Sequence, residues 1–202
     1  MPTPHNIGAG DPAQDPLALF DAWLIEAQAS EPNDPNAAAL ATSTISGAPS
    51  VRMILVKPIG DHRFCFFTNA DSRKGRELAE NPRAALCFHW KSLRRQVRVE
   101  GSITELPASA TDTYFHSRPR ESQISAAISD QSRPVAGRRE LEERARNFAA
   151  AHPAEIPKPT YWRGFSLEPS HIEFWINGEH RLHDRFLFTR EADQWRIARL
   201  YP

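Results

Sequence analysis

Three side chains that could bind an anion alternate along residues 178–186, which read "GEHRLHDRF". We interpret the segment as a β-strand, in which alternate side chains point to opposite faces of a sheet. Arg181, His183 and Arg185 would then share one face. Cationic groups crowded on one face repel each other unless an anion lies opposite them. The spacing therefore predicts an anion-binding surface.

A second cationic group stands where a helix is expected to begin, in "TNADSRKGRELAENP". Ser72 is a candidate N-cap, and Arg73, Lys74 and Arg76 fill the first turn. A helix N-terminus carries partial positive charge, so cations there are unfavourable unless a phosphate-like anion docks onto the free N–H groups. The pattern predicts a phosphate site, although taken alone it is also compatible with a solvated basic turn.

Two further cations, Arg52 and Lys57, interrupt the apolar run "SVRMILVKP". A buried Arg and Lys near a basic helix start would form a pocket of fixed donors, which suits a phosphorylated cofactor. The alternative is that both decorate an edge strand.

The segment "TDTYFHSRPRESQ" could form a second phosphate clamp. Tyr114 and Arg118 are four residues apart, the spacing of one helix face, and Pro119 favours a break with a new helix N-terminus just beyond it. Ser122 lies near that break. Hydroxyl, guanidinium and free N–H groups together suit a phosphate. Plain packing on a helix surface is the alternative reading.

The overall composition excludes several classes of function. Lys plus Arg number 25 and Asp plus Glu number 25, so no net charge would draw the chain to nucleic acid or to an anionic membrane. The N-terminus lacks the features of a signal peptide and no apolar run approaches a membrane span, so we expect a cytoplasmic protein. Both cysteines, Cys65 and Cys87, lie in apolar runs and are expected to be buried, and no metal site is predicted.

The elements that must position these residues follow from the hydrophobic pattern. Residues 1–16 are predicted to be a flexible tail, and residues 17–202 a single domain that opens with a helix capped by Asp15. Short β-rich runs fill residues 38–105, helices are expected at about 109–129 and 138–150, and four strand candidates follow residue 161. Many short strands with a few helices predict a mainly β or α+β fold, an antiparallel barrel with helices packed outside.

Taken together, these motifs resemble the pyridoxamine 5′-phosphate oxidase family, flavoenzymes of the FMN-binding split-barrel fold. The resemblance runs from about residue 34 to residue 202, through "VRMILVK", "FFTNADSRKGRELAENPRAALCFHWKSLRRQV", "YFHSRPRESQIS", "DQSRP", "IEFW", "GEHRLHDRF" and "RLYP". It implies a Greek-key-like split β-barrel and a homodimer whose active sites lie at the subunit interface.

The resemblance also implies which residues hold FMN. One subunit would contribute Arg52, Met53, Ile54, Leu55, Val56, Lys57, Phe67, Thr68, Arg73, Lys74 and Gln96, with the phosphate on the basic helix start. The other subunit would contribute Gln131, Ser132, Trp175 and Arg185. Phe67 stands where many members of the family have Tyr, and the N-terminal residues lack the family's Arg-x-x-Tyr segment.

For the substrate, the resemblance implies a phosphate held by Lys57, Tyr114, Arg118 and Ser122, and a pyridine ring covered by Arg181 and His183, with Asp34 nearby. The implied reaction converts pyridoxamine or pyridoxine 5′-phosphate to pyridoxal 5′-phosphate. A hydride passes from C4′ to flavin N5, and dioxygen reoxidises the flavin to give hydrogen peroxide. Two alternatives stay open: a related flavin oxidase acting on a phenazine-type substrate, and a non-catalytic protein that binds FMN or pyridoxal phosphate.

Overall fold

The first helix begins at the predicted cap. In the computed structural model, which describes residues 15–202, helix α1 spans Pro16–Ser30, and the Asp15 side chain accepts a hydrogen bond from the N–H of Leu17 at 2.9 Å. Pro16 is the first helical residue, where its missing N–H costs nothing. The remainder of the predicted flexible tail, residues 1–14, lies outside the described residues.

Residues 15–202 form five helices and nine strands. After α1 come β1 (Ala37–Ser43), β2 (Pro49–Leu55), β3 (Lys57–Ile59), β4 (His62–Asn69), α2 (Arg73–Glu80), β5 (Arg83–Trp90), β6 (Arg95–Glu105), α3 (Ala108–Ser117), α4 (Arg120–Ile128), α5 (Arg138–Ala151), β7 (Trp162–Ile176), β8 (Asp184–Glu191) and β9 (Gln194–Arg199). None of the helices in residues 15–202 is long and apolar enough to cross a membrane.

The strands form one antiparallel sheet that must curl. Its order is β2-β1-β5-β6-β7-β4-β3, with β8 beside β7 and β9 beside β8. Strands β2 and β3 therefore occupy opposite ends of the seven-strand path, yet only Val56 joins them in the chain. A single residue spans less than 4 Å, so the two ends must meet, and the sheet closes toward a barrel. The predicted antiparallel barrel is confirmed.

The concave face of the sheet and helix α1 enclose the main core. Phe20 and Trp23 of α1 are almost fully buried and contact Phe64, Phe88 and Phe174 edge-to-face, with ring centroids about 5 Å apart. Edge-to-face contacts of this kind add to the free energy gained by burying aromatic surface. The amphipathic helix therefore fixes the curvature of the sheet against which it packs.

The opposite face of the sheet, called the outer face below, is defined by the residues that alternate with the core positions. On β2 it exposes Val51 (68%), Met53 (65%) and Leu55 (49%). The antiparallel register continues this apolar stripe across small residues to polar ones on the later strands. The members of the outer face are Val51, Met53, Leu55, Ala37, Ala39, Ala41, Ala85, Cys87, His89, Gln96, Arg98, Glu100, His171, Glu173, Trp175, Arg185, Leu187 and Thr189. An apolar stripe this exposed marks an interaction surface.

The prediction of one strand over residues 178–186 is wrong. Residues Glu179–Arg181 form a 3₁₀ turn, and β8 begins only at Asp184. His180 and Arg181 adopt positive φ angles of 53° and 66°, which no strand allows. Arg181 and His183 therefore lie in the connection between β7 and β8, and only Arg185 is on a strand.

Three further boundaries differ from the prediction. The run containing Arg52 and Lys57 is split at Val56 into β2 and β3, which pair with different strands. The helix expected over 109–129 is two helices, and the predicted break at Pro119 is confirmed. Three strands rather than four follow residue 161, because β7 continues unbroken for 15 residues.

Candidate active site

The basic start of α2 contains a buried lysine. As predicted, Ser72 caps the helix, accepting a hydrogen bond from the N–H of Gly75. Lys74 is 8% exposed, and its Nζ donates to Thr68 Oγ1 at 3.1 Å and to Gln131 Oε1 at 2.9 Å. Burial, together with the charge of Arg52, lowers the pKa of Lys74 to about 8. Both partners are neutral, so no described residue supplies the ammonium with a counter-charge at the place predicted for a phosphate.

The neighbouring arginines, by contrast, already have an anion. Glu77 of α2 is buried, and its carboxylate accepts from Arg73 Nε at 2.8 Å and lies 3.5 Å from Arg52 Nη2. The hydroxyls of Thr42 and Ser50 also donate to it. Burial alone would raise the pKa of Glu77, but these hydrogen bonds and Arg73 lower it to about 2. The sequence analysis missed Glu77, although its i, i+4 spacing from Arg73 was a usable signal.

Beside Lys74 a cavity of about 580 Å³ opens toward the outer face. Its volume is within the range of small-molecule and cofactor sites. The lining comprises Asp34, Ala37, Met53, Ile54, Leu55, Phe67, Thr68, Lys74, Tyr114, Arg118, Gln131 and Trp162. Parts of the sequence-derived cofactor and substrate sets thus meet in one place.

An aromatic stack forms one wall of the cavity. The ring of Phe67 lies 4.0 Å from that of Tyr114 and 5.2 Å from that of Trp162, with interplanar angles of 21° and 11°. Gly164, directly opposite Phe67 on β7, leaves room for this ring, because a Cβ there would lie 2.7 Å from Phe67 Cε1. Phe67 therefore acts here through its ring, and a hydroxyl is not needed for the stack.

Arg118 is the second cation of the cavity without an anionic partner. Its guanidinium lies over Trp162 at 5.1 Å, and among residues 15–202 its buried Nη1 has no hydrogen-bond partner. Burial lowers the pKa of Arg118. The sequence analysis placed Arg118 on one helix face with Tyr114. In the structure Arg118 instead follows α3 and has an extended backbone. A buried donor left unpaired costs free energy, which a bound anion would recover.

Several predicted site residues lie elsewhere. The side chain of Val56 is in the core, and its N–H and C=O both bond to Asn36. Lys57 on β3 and Ser122 on α4 do not line the cavity. Arg52 and Arg73 do not line the cavity either. Both contact Glu77 of α2, the helix whose first turn carries Lys74. Arg181 and His183 lie in the β7–β8 connection, where His183 Nδ1 accepts from the N–H of Gly178 at 3.1 Å.

A separate row of polar side chains crosses the outer face. Gln96, Trp175 and Arg185 are directly opposite one another on β6, β7 and β8. The His183 ring lies 4.7 Å from that of Trp175. Arg185 forms two hydrogen bonds with Glu173, and Arg98 also contacts that carboxylate at 3.0 Å. The protein itself therefore supplies one anion for the cationic surface predicted from the sequence.

Along strand β7 the row and the cavity are far apart. Thr68 of the cavity is opposite Arg163 on β7, and Trp175 lies twelve positions further along that strand. At about 3.3 Å per residue this corresponds to roughly 40 Å of strand. Across the strands the two are closer. Continuing the pairing of Ala39 with Cys87 places Ala37 of the cavity beside His89 on β5, and His89 pairs with Gln96, so about 10 Å separates Ala37 from Gln96.

Contacts within one chain also differ from the subunit assignment that the resemblance implies. Gln131 bonds to Thr68 and Lys74, and Ser132 Oγ accepts from the N–H of Arg73 at 3.1 Å, all within one chain. Asn69 holds this segment by donating to Ser129 O. Gln131 and Ser132 thus contact the Lys74 group of their own chain, whereas they were expected to come from the other subunit. Gln96, expected with that group, lies in the row with Trp175 and is two strands from Ala37 of the cavity.

The donors around the cavity fit a phosphorylated ligand. Lys74 and Arg118 supply charge, Thr68 and Tyr114 supply hydroxyls, and the unpaired Nη1 of Arg118 provides a donor that no described residue uses. Phosphate groups favour such a set of fixed, charged donors. The flat wall of Phe67, Tyr114 and Trp162 suits planar rings.

One other cluster of reactive side chain types does not form a catalytic relay. His62 Nδ1 lies 3.2 Å from both Ser166 Oγ and Glu168 Oε1. A serine–histidine–acid triad needs the hydroxyl and the carboxylate on different ring nitrogens. Because both contact the same nitrogen, the carboxylate does not orient the ring for the serine as it does in a triad.

Comparisons with known proteins agree on one family. Residues 24–151 match the family described as pyridoxamine 5′-phosphate oxidase, and residues 162–202 match a region described as pyridoxine 5′-phosphate oxidase C-terminal dimerisation region. A pyridoxine/pyridoxamine 5′-phosphate oxidase from Erythrobacter litoralis is 53% identical over 199 residues, which cover 95% of this chain and 92% of the relative. One from Anaeromyxobacter dehalogenans is 52% identical over 203 residues, covering 100% of both.

Solved structures show the same fold. PhzG from Burkholderia lata 383, in complex with tetrahydrophenazine-1-carboxylic acid, superposes with a TM-score of 0.90 at 31% identity, covering 100% of this chain and 98% of that one. A pyridoxamine 5′-phosphate oxidase-related, FMN-binding protein from Nostoc punctiforme has a TM-score of 0.75 at 16% identity, covering 94% of this chain and 100% of its own. The predicted split-barrel fold is confirmed.

Proposed function

The chain belongs to the pyridoxamine 5′-phosphate oxidase family, and from that premise we propose that it oxidises pyridoxamine and pyridoxine 5′-phosphate to pyridoxal 5′-phosphate with FMN as cofactor. The observation that carries this proposal is the cavity in which Lys74 and Arg118 both lack a carboxylate partner among the described residues. Two uncompensated cations beside a flat aromatic wall suit two phosphorylated, planar molecules.

FMN would be held through its phosphate at the start of α2. Lys74 and Thr68 would bind the phosphate, supported by Gln131 and Ser132 from the same chain. Arg52 and Arg73 add positive charge while Glu77 restrains both. Met53, Ile54 and Leu55 would lie along the flavin, since they line the cavity. When bound, FMN supplies a two-electron acceptor for the hydride of substrate C4′, and dioxygen restores it with release of hydrogen peroxide.

The substrate phosphate would bind at Arg118 and Tyr114. Arg118 lines the cavity, so a small turn of its guanidinium would let the unpaired Nη1 donate to a phosphate oxygen, and the stack with Phe67 fixes the ring of Tyr114. Ser122 and Lys57, which the resemblance adds to this clamp, would need to approach when substrate binds, because neither lines the cavity. These residues bind and orient the substrate.

A second copy of the chain would complete the site. The cavity shares Ala37, Met53 and Leu55 with the outer face, and Gln96, Trp175 and Arg185 lie on that same face. If two outer faces pack about a two-fold axis, the row of one subunit can face the cavity of the other. The match of residues 162–202 to a dimerisation region supports this arrangement. The β7–β8 connection would bring Arg181 and His183 to the substrate ring, with Asp34 at the cavity rim.

Mixed dimers test the shared site. A Lys74→Met variant and an Arg185→Met variant are each expected to be nearly inactive. In a dimer of one copy of each, one site carries both changes and the other carries neither. Random reassortment should therefore restore about a quarter of wild-type activity. Absence of any recovery, with mixed dimers verified by mass, would contradict the two-subunit site.

The reaction itself is tested by aerobic turnover of FMN-reconstituted protein with pyridoxine 5′-phosphate. Pyridoxal 5′-phosphate and hydrogen peroxide should appear in equal amounts. FMN binding without either product would refute the substrate assignment and favour a carrier.

A phenazine-type substrate is the second candidate, since the PhzG structure superposes with a TM-score of 0.90. The higher identity of the oxidase relatives, 53% against 31%, favours the first. A substrate without phosphate would make turnover independent of Arg118, so an Arg118 variant separates the two.

A further inference from the structure

Glu173 lies in the middle of the outer face with both carboxylate oxygens engaged. Only 3% of its side chain is exposed. Its Oε1 accepts from Arg185 Nε at 2.8 Å, and its Oε2 accepts from Arg185 Nη2 at 3.1 Å and lies 3.0 Å from Arg98 Nη2. One carboxylate thus binds two arginines, and it holds Arg185 in a bidentate pair.

Stability alone does not explain this trio. Burying an ion pair costs desolvation that roughly cancels the attraction, so apolar side chains of similar size often stabilise a protein as well or better. The same cross-strand row contains Ala39, Cys87 and Leu187, so an apolar solution would have continued the surrounding surface. The apolar neighbours do not account for charged residues at this place. A role for Glu173 in orienting Arg185 does.

The contacts fix Arg185 while leaving part of it available. A guanidinium has five N–H donors in one plane. Two bond to Glu173, and a third, on Nη1, donates to the main-chain oxygen of Tyr201 at 3.0 Å. One N–H on Nη1 and one on Nη2 remain, and 26% of the side chain is exposed. Two donors on a fixed plane can bind acceptors on a ligand with a defined geometry.

We propose that Glu173 is a positioning residue which, together with the main-chain oxygen of Tyr201, orients Arg185 toward the FMN bound in the other subunit's cavity. The inference rests on the proposed function. Arg98 holds the carboxylate from the opposite side, so Glu173 cannot follow Arg185 if that side chain moves. Without Glu173 the long arginine side chain regains rotamer freedom, which FMN binding would then have to remove.

A double-mutant cycle on FMN affinity tests the proposal, with affinity measured by flavin fluorescence quenching on the full-length dimer. Glu173→Gln should weaken FMN binding about tenfold in the wild-type background and less than twofold in an Arg185→Met background. Glu100→Gln is the matched control, because Glu100 also contacts Arg98 but does not touch Arg185. It should leave FMN affinity unchanged.

Equal losses in both backgrounds, or no loss in either, would overturn the proposal. If Glu173→Gln prevents dimer formation, deletion of Tyr201 and Pro202 replaces it, because Tyr201 is 93% exposed and its removal should not affect folding. That deletion should weaken FMN about threefold, and only when Arg185 is present. Failure of the wild-type chain to bind FMN would refute the proposed function, whereas binding with additive losses would refute this inference alone.

Discussion

Replacing Arg118 by Met should separate substrate binding from stability. Arg118 Nη1 has no partner within residues 15–202, so the ligand-free protein loses no hydrogen bond there when the guanidinium is removed. A charged hydrogen bond to a substrate phosphate contributes about 1.5–3 kcal/mol. Its loss should raise KM for pyridoxine 5′-phosphate roughly 10- to 150-fold, with a much smaller change in kcat.

Replacing a hydrogen-bonded buried arginine usually lowers the free energy of unfolding. Arg118→Met is not expected to do so. The variant loses the contact over Trp162, about 0.5–2 kcal/mol, but no longer buries an unpaired donor, which costs about 1–3 kcal/mol. These two effects nearly cancel, or their sum is slightly stabilising. The Tm of the ligand-free variant should therefore equal or exceed that of the wild type by calorimetry.

Arg120→Met is the matched control, because Arg120 is two residues away but donates to the main-chain oxygens of His152 and Ala154. This variant should lose about 1–2 kcal/mol of stability and keep its KM within twofold. The reasoning would be refuted if Arg118→Met lowered Tm as much as Arg120→Met while KM stayed constant. An unchanged KM at unchanged Tm would instead point to a substrate without a phosphate.

Three further predictions address the charges and the interface. Lys74 is charged below its pKa of about 8, so FMN affinity should fall up to about tenfold from pH 7 to 9, and Lys74→Met should remove this pH dependence in fluorescence titrations. The pKa of Glu77 is lowered from 4.5 to about 2, so its stabilising contribution is present above pH 4.5 and is lost as pH falls toward 2. Glu77→Gln should therefore cost about 3 kcal/mol in denaturant melts at pH 7 and progressively less in acid, whereas a constant cost would contradict the assignment. Val51→Asp, on an exposed position of the outer face, should dissociate the dimer in sedimentation experiments without lowering the helix or strand content, and a stable dimer would exclude this part of the face.

Local patterns in the sequence predicted most of the fold, because they depend on short-range physics. The cap at Asp15, the cap at Ser72 and the break at Pro119 are set by neighbouring residues, and all three are confirmed. The division of the apolar run at Val56 depends on the pairing of β2 with β1 and β3 with β4, which no local pattern contains. The turn over Glu179–Arg181 was mistaken for a strand because its charged residues alternate as a strand's would.

The sequence predicted which residues belong to the site, but not which of them contact one another. Lys74, Tyr114 and Arg118 were recognised from motifs, and the cavity brings them together. Glu173 was not, because it approaches Arg98 and Arg185 only through the strand pairing, whereas the contact of Glu77 with Arg73 has a local i, i+4 signal. The contact of Gln131 with Lys74 of its own chain was likewise not predictable, because 57 positions separate the two residues in the sequence.

The distribution of carboxylates separates two kinds of cation in this protein. Arg52 and Arg73 share Glu77, and Arg98 and Arg185 share Glu173, so these four cations are held in place by two carboxylates. Lys74 and Arg118 have no such partner among residues 15–202, and both line the same cavity. A buried cation is costly unless something compensates it, so these two positions carry an electrostatic cost that only a ligand relieves. Two such positions in one cavity are what a phosphorylated cofactor beside a phosphorylated substrate requires.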